Sequence, residues 1–214
     1  MLQAHRTQDI TSSGANEYHF LTHWRVRGTL TEVTDILGDV MQLTRWWPAV
    51  YLDVKELTLG DANGVGREIN LYTKGFLPYT LLWGFRVTEV EPQKRIKLEA
   101  KGDFVGYGIW TFESAGEWVN IQYEWRIHAE KPILRDLSFL LKPIFSANHR
   151  WAMQKGLESL ELELLRRRAP TPADRARIPP PPAATTTSII PWLLAAAALL
   201  AVLGILIRGI TIGF

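Results

Sequence analysis

The side chains able to do chemistry are few and widely separated. His149 lies beside Asn148 on the apolar stripe of a helical stretch. It is the histidine placed to exchange protons inside a pocket, although the same position suits a satisfied core or rim histidine. Arg67 falls on the row Val65, Arg67, Ile69, Leu71, whose alternation points inward. A guanidinium there requires an anion, either a ligand headgroup or carboxylate, or a structural Glu or Asp. His19, His23 and His128 alternate outward and His5 lies near the start, so no ligand set of metal type assembles and no metal is expected. The run Gly60–Gly66 (GDANGVG) has no following Lys-Ser/Thr and precedes a strand, unlike a phosphate cradle, and no G-x-S-x-G elbow occurs. No cofactor is expected. The absence of cysteine excludes a disulfide framework, thiol catalysis and cysteine-ligated metal.

Aromatic rings carry the stronger signal, with nine tryptophans in 214 residues. Apolar walls with a few polar groups characterise small-molecule sites, whereas the same rings can also simply fill a core. The candidate ligand-binding set is Trp46, Trp47, Arg67, Trp83, Phe85, Phe104, Trp110, Tyr123, Trp125, His149 and Met153. Gly102, Gly106 and Gly108 interrupt one bulky strand, and Ala152, Gly156 and Ser159 form a small-residue stripe on a helix. Facing each other, these would leave a void for a ligand, or else allow close helix–sheet packing.

Positioning these residues falls to strands with one wet and one buried face. Val119, Ile121, Tyr123, Trp125 and Ile127 alternate with polar residues, as do Ile96, Leu98 and Ala100. Leu81, Trp83, Phe85 and Val87 make a third inward row, and Phe20, Trp24 and Val26 a fourth. One-sided strands in succession imply an antiparallel sheet covered on its inner face. Turn signals delimit about six strands after residue 50, besides one at 18–27. Helical spacing predicts a helix over Leu30–Leu43 with Thr31 as N-cap, and a long one from about Ile144 to Arg168. A shorter helix is expected between Pro132 and Leu141, stopped at Lys142-Pro143. The order is that of an α+β domain in which a curved antiparallel sheet of about seven strands wraps a long C-terminal helix.

The stretches TLTEVTDILGDVMQLTRWWPAVYLDVKEL, GVGREINLYTKGFLPYTLLWGFRVTEVEP and GDFVGYGIWTFE resemble the START-like helix-grip superfamily (SRPBCC), in its polyketide cyclase/dehydrase-like branch. The resemblance covers about residues 17–168 and rests mainly on element order and the Arg45-Trp46-Trp47-Pro48 step; no catalytic signature comes with it. It implies an apolar cavity between sheet and C-terminal helix, used by relatives for lipids, sterols or polyketides. Many relatives bind without catalysis, so the fold alone does not decide function.

Charge is balanced up to residue 169, and the net charge of +2 gives no sign of a nucleic-acid partner. From Ile189 to Ile207 run 19 uncharged residues, ~28 Å of helix against a ~30 Å hydrocarbon core, which predicts a transmembrane helix. Arg166, Arg167, Arg168, Arg175 and Arg177 precede it and only Arg208 follows, placing the N-terminal domain in the cytoplasm, with a bacterial inner membrane the best fit. The expected divisions are a disordered N-terminus (1–16), the helix-grip domain (17–169), a Pro-rich linker (170–188), the span (189–207) and a short tail (208–214). Six prolines make the linker an extended spacer, reaching at most ~59 Å. The function expected is membrane-tethered binding of a hydrophobic small molecule, with a cyclase/dehydratase-type enzyme or a protein-docking scaffold as alternatives.

Overall fold

The computed structural model describes residues 6–9, 16–130 and 138–185. Within them the strands are β1 (Arg6–Asp9), β2 (Glu17–Arg27), β3 (Tyr51–Thr58), β4 (Glu68–Lys74), β5 (Thr80–Glu91), β6 (Arg95–Gly102), β7 (Phe104–Ala115) and β8 (Trp118–Ala129). They form one antiparallel sheet in the order β1-β2-β8-β7-β6-β5-β4-β3. Seven of these strands are those expected. The eighth, β1, corrects the expectation that residues 1–16 lack structure: Arg6–Asp9 pairs with His23–Phe20. Its four polar residues show no apolar alternation, so a pattern reading has nothing to register.

Alternation sets the inner face. Tyr18, Phe20, Thr22, Trp24 and Val26 of β2 are buried, as are Val119, Ile121, Tyr123, Trp125 and Ile127 of β8. β2 and β8 pair along their whole length, from Glu17↔His128 to Arg27↔Trp118, and so join the first and last long strands within the wall. The outermost strand β3 breaks register with β4 twice, between Tyr51 and Asp53 and between Glu56 and Thr58.

Helices close the inner side. The N-cap of α1 (Leu30–Gly38) is Thr29, not the expected Thr31. The Thr29 hydroxyl accepts from the Glu32 N–H while Glu32 accepts from the Thr29 N–H, a reciprocal capping box. The helix expected to continue to Leu43 ends at Gly38; a 3₁₀ turn (Val40–Gln42) and the single turn α2 (Leu43–Trp46) follow. The C-terminal helix α3 runs unbroken over Ser138–Arg168 with Pro143 inside it, so Lys142-Pro143 does not stop a separate helix. Pro143 forfeits a single hydrogen bond, and the helix runs through it. Residues 131–137, the first part of the shorter helix expected there, lie outside the described residues.

A buried carboxylate fixes α3 against α2. Glu163 is 2% exposed and accepts from Arg45 Nη1 and Nη2 at 2.8 and 2.7 Å and from Arg167 Nε at 3.0 Å. Burial acts to raise its pKa, but the hydrogen bonds from Arg45 and Arg167 outweigh burial and hold it below the ordinary carboxylate value. Further along the helix, Arg168 binds Glu32 at 2.7 and 2.9 Å and also donates to the Arg27 carbonyl, tying the end of α3 to the start of α1. That hydrogen bonding, with further help from the Thr29 cap, lowers Glu32 from 4.5 to about 2.

The Pro-rich segment differs from a free spacer over its described part. Thr171 caps a short helix α4 (Pro172–Arg177), and the Arg166 guanidinium donates to the Pro179 carbonyl. Thr185 then rests on the domain itself, its carbonyl accepting from Lys74 Nζ at 2.5 Å and its hydroxyl donating to the Gly75 carbonyl at 3.2 Å. The expected span 189–207 and the tail 208–214 lie outside the described residues. Among the described residues no helix is long and apolar enough to cross a membrane.

Two stability tests follow. Removing both cations by Arg45→Ala/Arg167→Ala leaves a buried carboxylate alone, at a cost of ~3–5 kcal/mol in denaturant unfolding, clearly more than Glu163→Gln, whose stranded guanidinium groups still reach water. Equal losses would show that the pairing is not what holds α3. Because Glu32 has a lowered folded-state pKa, its contribution is complete above pH 4.5 and is lost as pH falls toward about 2. Glu32→Gln should therefore flatten the thermal midpoint against pH across that window, and an unchanged slope would contradict the Glu32–Arg168 contact.

Candidate functional site

Between the helices and the inner face of the sheet lie two adjoining, partly open chambers. The first, of ≈ 100 Å³, lies among Phe20, Phe104, Trp125, Phe145, His149 and Ala152. The second, of ≈ 180 Å³, lies among Leu37, Val40, Phe85, Leu98, Trp110 and Arg67. Trp47, Tyr51, Trp83, Tyr123 and Met153 line both, and so form the waist between them. Together the chambers approach the ~300 Å³ lower end of small-molecule sites, and a ligand that occupies both must pass this waist. Met153 is its one unbranched, flexible member.

The rings form a continuous chain along the cavity. Trp47 lies 5.8 Å from Trp24, which lies 5.6 Å from Trp110; Trp110 stacks on Tyr123 at 4.0 Å, and Tyr123 on Trp125 at 5.7 Å. Trp83 continues it, 5.4 Å from Trp125 and 5.8 Å from Phe104, with its indole N–H donating to Thr73 Oγ1 at 3.0 Å. Offset and tilted pairs of this kind fix the rings in their orientations.

Of the residues singled out in the sequence, Trp47, Arg67, Trp83, Phe85, Phe104, Trp110, Tyr123, Trp125, His149 and Met153 line one chamber or both. Trp46 lines neither. Its ring is fully buried 5.5 Å from Trp47, in the short turn from which Arg45 reaches Glu163, so it serves the core. Arg67 resolves toward the structural alternative: Nε donates to Glu56 Oε1 at 2.6 Å, and the pair stands at the Gly38–Gly64 end of the second chamber. His149 stacks face to face on Phe20, with centroids 4.0 Å apart.

The small residues do not leave the cavity empty where expected. A Cβ on Gly156 would overlap the Trp47 ring, and one on Gly108 would lie 2.8 Å from the Tyr123 hydroxyl. Both glycines admit rings, the close-packing alternative, while Ala152 alone of the helix stripe borders a chamber. Sequence reasoning missed Asn148, whose Oδ1 accepts from the N–H groups of Phe76 and Leu77 at 2.9 and 3.4 Å and so ties the rim of the first chamber to α3. The adjacent Gly75 was the available signal, since a Cβ there would overlap that same side-chain amide.

The phenols of the waist are neutral. Burial raises the pKa of Tyr51, and burial, with Tyr51 nearby, raises that of Tyr123 well above its ordinary value. Both phenols keep their protons and can donate hydrogen bonds, but do not act as phenolate bases near neutrality. Among the described residues no group of His, Asp or Glu is arranged to hold a metal ion.

No family model matches the chain, and comparison with curated proteins finds no match. Solved structures do match. The protein TTHA0849 from Thermus thermophilus is 15% identical, with TM-score 0.57 over 70% of this chain and 99% of that one. The Zhui aromatase/cyclase from a Streptomyces species is 15% identical, with TM-score 0.56 over 71% and 95%. A STAR-related lipid transfer protein fragment from Xanthomonas axonopodis is 14% identical, with TM-score 0.52 over 77% and 95%. The fold is the START-like helix-grip fold, as the sequence resemblance implied.

Gly156→Ala tests the cavity's construction. The added methyl must displace the Trp47 ring, which should cost ~1–3 kcal/mol and shift the tryptophan emission. Unchanged stability and emission would place Trp47 elsewhere.

Proposed function

We propose that this protein binds a hydrophobic small molecule, of lipid, isoprenoid or polyketide-like chemistry, in the two-chambered cavity, while residues 189–207 hold the domain at the cytoplasmic face of a membrane, best fitted by a bacterial inner membrane. The observation that carries the binding reading is the cavity wall: mostly aromatic and aliphatic side chains, with Thr73, Lys74, Asn148 and His149 as the polar groups of the first chamber, Asn63 and Arg67 of the second, and neutral phenols between them. Binding then proceeds by burial of the ligand's apolar surface, worth ~25 cal/mol per Å², and a hydrogen bond from Tyr123 orients it. Arg67 shapes one end through its pair with Glu56. The likeness in fold to proteins named as an aromatase/cyclase and a lipid transfer protein supports a hydrophobic guest.

An enzyme of cyclase or dehydratase type is the second reading, favoured by His149, which lines the first chamber with its ring held flat against Phe20. A scaffold that docks only a protein partner accounts poorly for two apolar chambers.

Native mass spectrometry and lipid extraction of the full chain should find a stoichiometric hydrophobic molecule. Met153→Trp, which fills the waist, should weaken uptake of a fluorescent lipid by at least about tenfold, equivalent to ~1.4 kcal/mol. Clean protein that takes up no lipid would sink the binding reading. His149→Ala separates the alternatives: a carrier keeps its binding, whereas an enzyme keeps binding and loses turnover.

A further inference from the structure

We propose that the rim of the first chamber, around Lys74, Gly75, Phe76 and Pro78, is a docking surface for a lipid bilayer, held there by the chain's own C-terminal segment. The inference rests on the membrane-tethered reading above and replaces its long spacer by a short one. As a free Pro-rich chain, residues 170–188 would let the domain sample a wide zone above the membrane. The described part of that segment is instead fixed to the domain at two places. Arg166 holds the Pro179 carbonyl, and Thr185 is bound twice, by Lys74 Nζ and to the Gly75 carbonyl.

The second of these places falls on the cavity itself. Thr73, Lys74, Gly75 and Asn148 are all part of the wall of the first chamber, so Thr185 sits on its edge. Ile189, where the uncharged 19-residue run starts, lies only four residues beyond Thr185. At ~3.5 Å per residue these four reach no more than about 14 Å, against ~59 Å for the free linker. The apolar run must therefore enter its bilayer close beside this rim. The part of the second chamber's wall at Gly38, Asn63 and Gly64 borders none of these contacts.

The rim is built to keep its shape there. Asn148 accepts from two successive N–H groups of the loop Gly75–Tyr79, and Phe76 meets Trp151 edge-on at 6.1 Å, so the loop is anchored to α3 through two side chains. The loop sequence, Gly-Phe-Leu-Pro-Tyr, carries no charge, and Phe76, Pro78 and Tyr79 are partly exposed. An uncharged loop with Phe76 and Pro78 partly exposed suits the headgroup region of a bilayer.

The chain contains no cysteine, so one introduced cysteine reports one position. The full chain carrying Pro78→Cys, labelled with an environment-sensitive dye, is reconstituted into phosphatidylethanolamine/phosphatidylglycerol vesicles containing headgroup-proximal nitroxide lipid. Asn63→Cys, at an exposed position in the wall of the second chamber, serves as the reference. The dye at 78 should be strongly quenched and the dye at 63 should not. A Gly/Ser insertion of ~20 residues between Thr187 and Ser188 adds a root-mean-square ~25 Å of tether and should reduce quenching at 78 at least about threefold. Equal quenching at both positions, no effect of the insertion, or failure of the chain to enter vesicles would each overturn the docking surface. The readout needs no ligand. Quenching at 78 in a protein that takes up no lipid would uphold the docking surface while sinking the binding reading.

Discussion

The buried carboxylate of Glu163 is the contact on which the cavity depends. A long helix lying across a twisted sheet has freedom to roll and slide, because apolar side chains pack in many near-equivalent ways. A carboxylate that is 2% exposed and gripped by two guanidinium groups does not share that tolerance, since any shift leaves a charge desolvated and unpaired. Arg45 belongs to the short turn that also carries Trp46 and leads into Trp47. Fixing Arg45 to α3 therefore fixes the Trp47 ring over Gly156, and with it one wall of the waist between the two chambers.

That waist gives the cavity its character. Five side chains from α2–β3, β5, β8 and α3 meet there, so no single element can widen it without moving a neighbour. Four are rings constrained by stacking or, for Trp83, by the bond to Thr73, and the fifth is a methionine with three rotatable bonds. The geometry thus confines adaptability to one side chain and leaves the rest as a rigid template, an arrangement that discriminates shape more than it discriminates charge.

The sheet was legible in the sequence because alternation is a local consequence of having one wet face; the buried rows of β2 and β8 could be named residue by residue. Features that depend on tertiary contact were not. Pro143 reads as a helix stop, yet it removes a single hydrogen bond and the helix runs through it. Thr29 and Thr31 are equally plausible caps by type, and what separates them is the reciprocal bond to Glu32. Gly156 and Gly108 look like missing volume in one dimension and prove to be sockets for rings in three. Trp46 and Trp47, adjacent and identical, part company because consecutive residues at a helix end face different neighbours. The docking of the Pro-rich segment had no local signal, since composition specifies stiffness and says nothing of destination.

The broken register of β3 has a consequence for the company the molecule keeps. A sheet open at both sides offers backbone donors and acceptors to any passing strand, a hazard that rises steeply with local concentration. Here the margin at β3 bends twice within eight residues and mixes acidic and basic side chains, Asp53, Lys55 and Glu56. That margin presents no straight, uncharged run to template a neighbour's ladder. Crowding copies side by side therefore does not invite them to polymerise through β3.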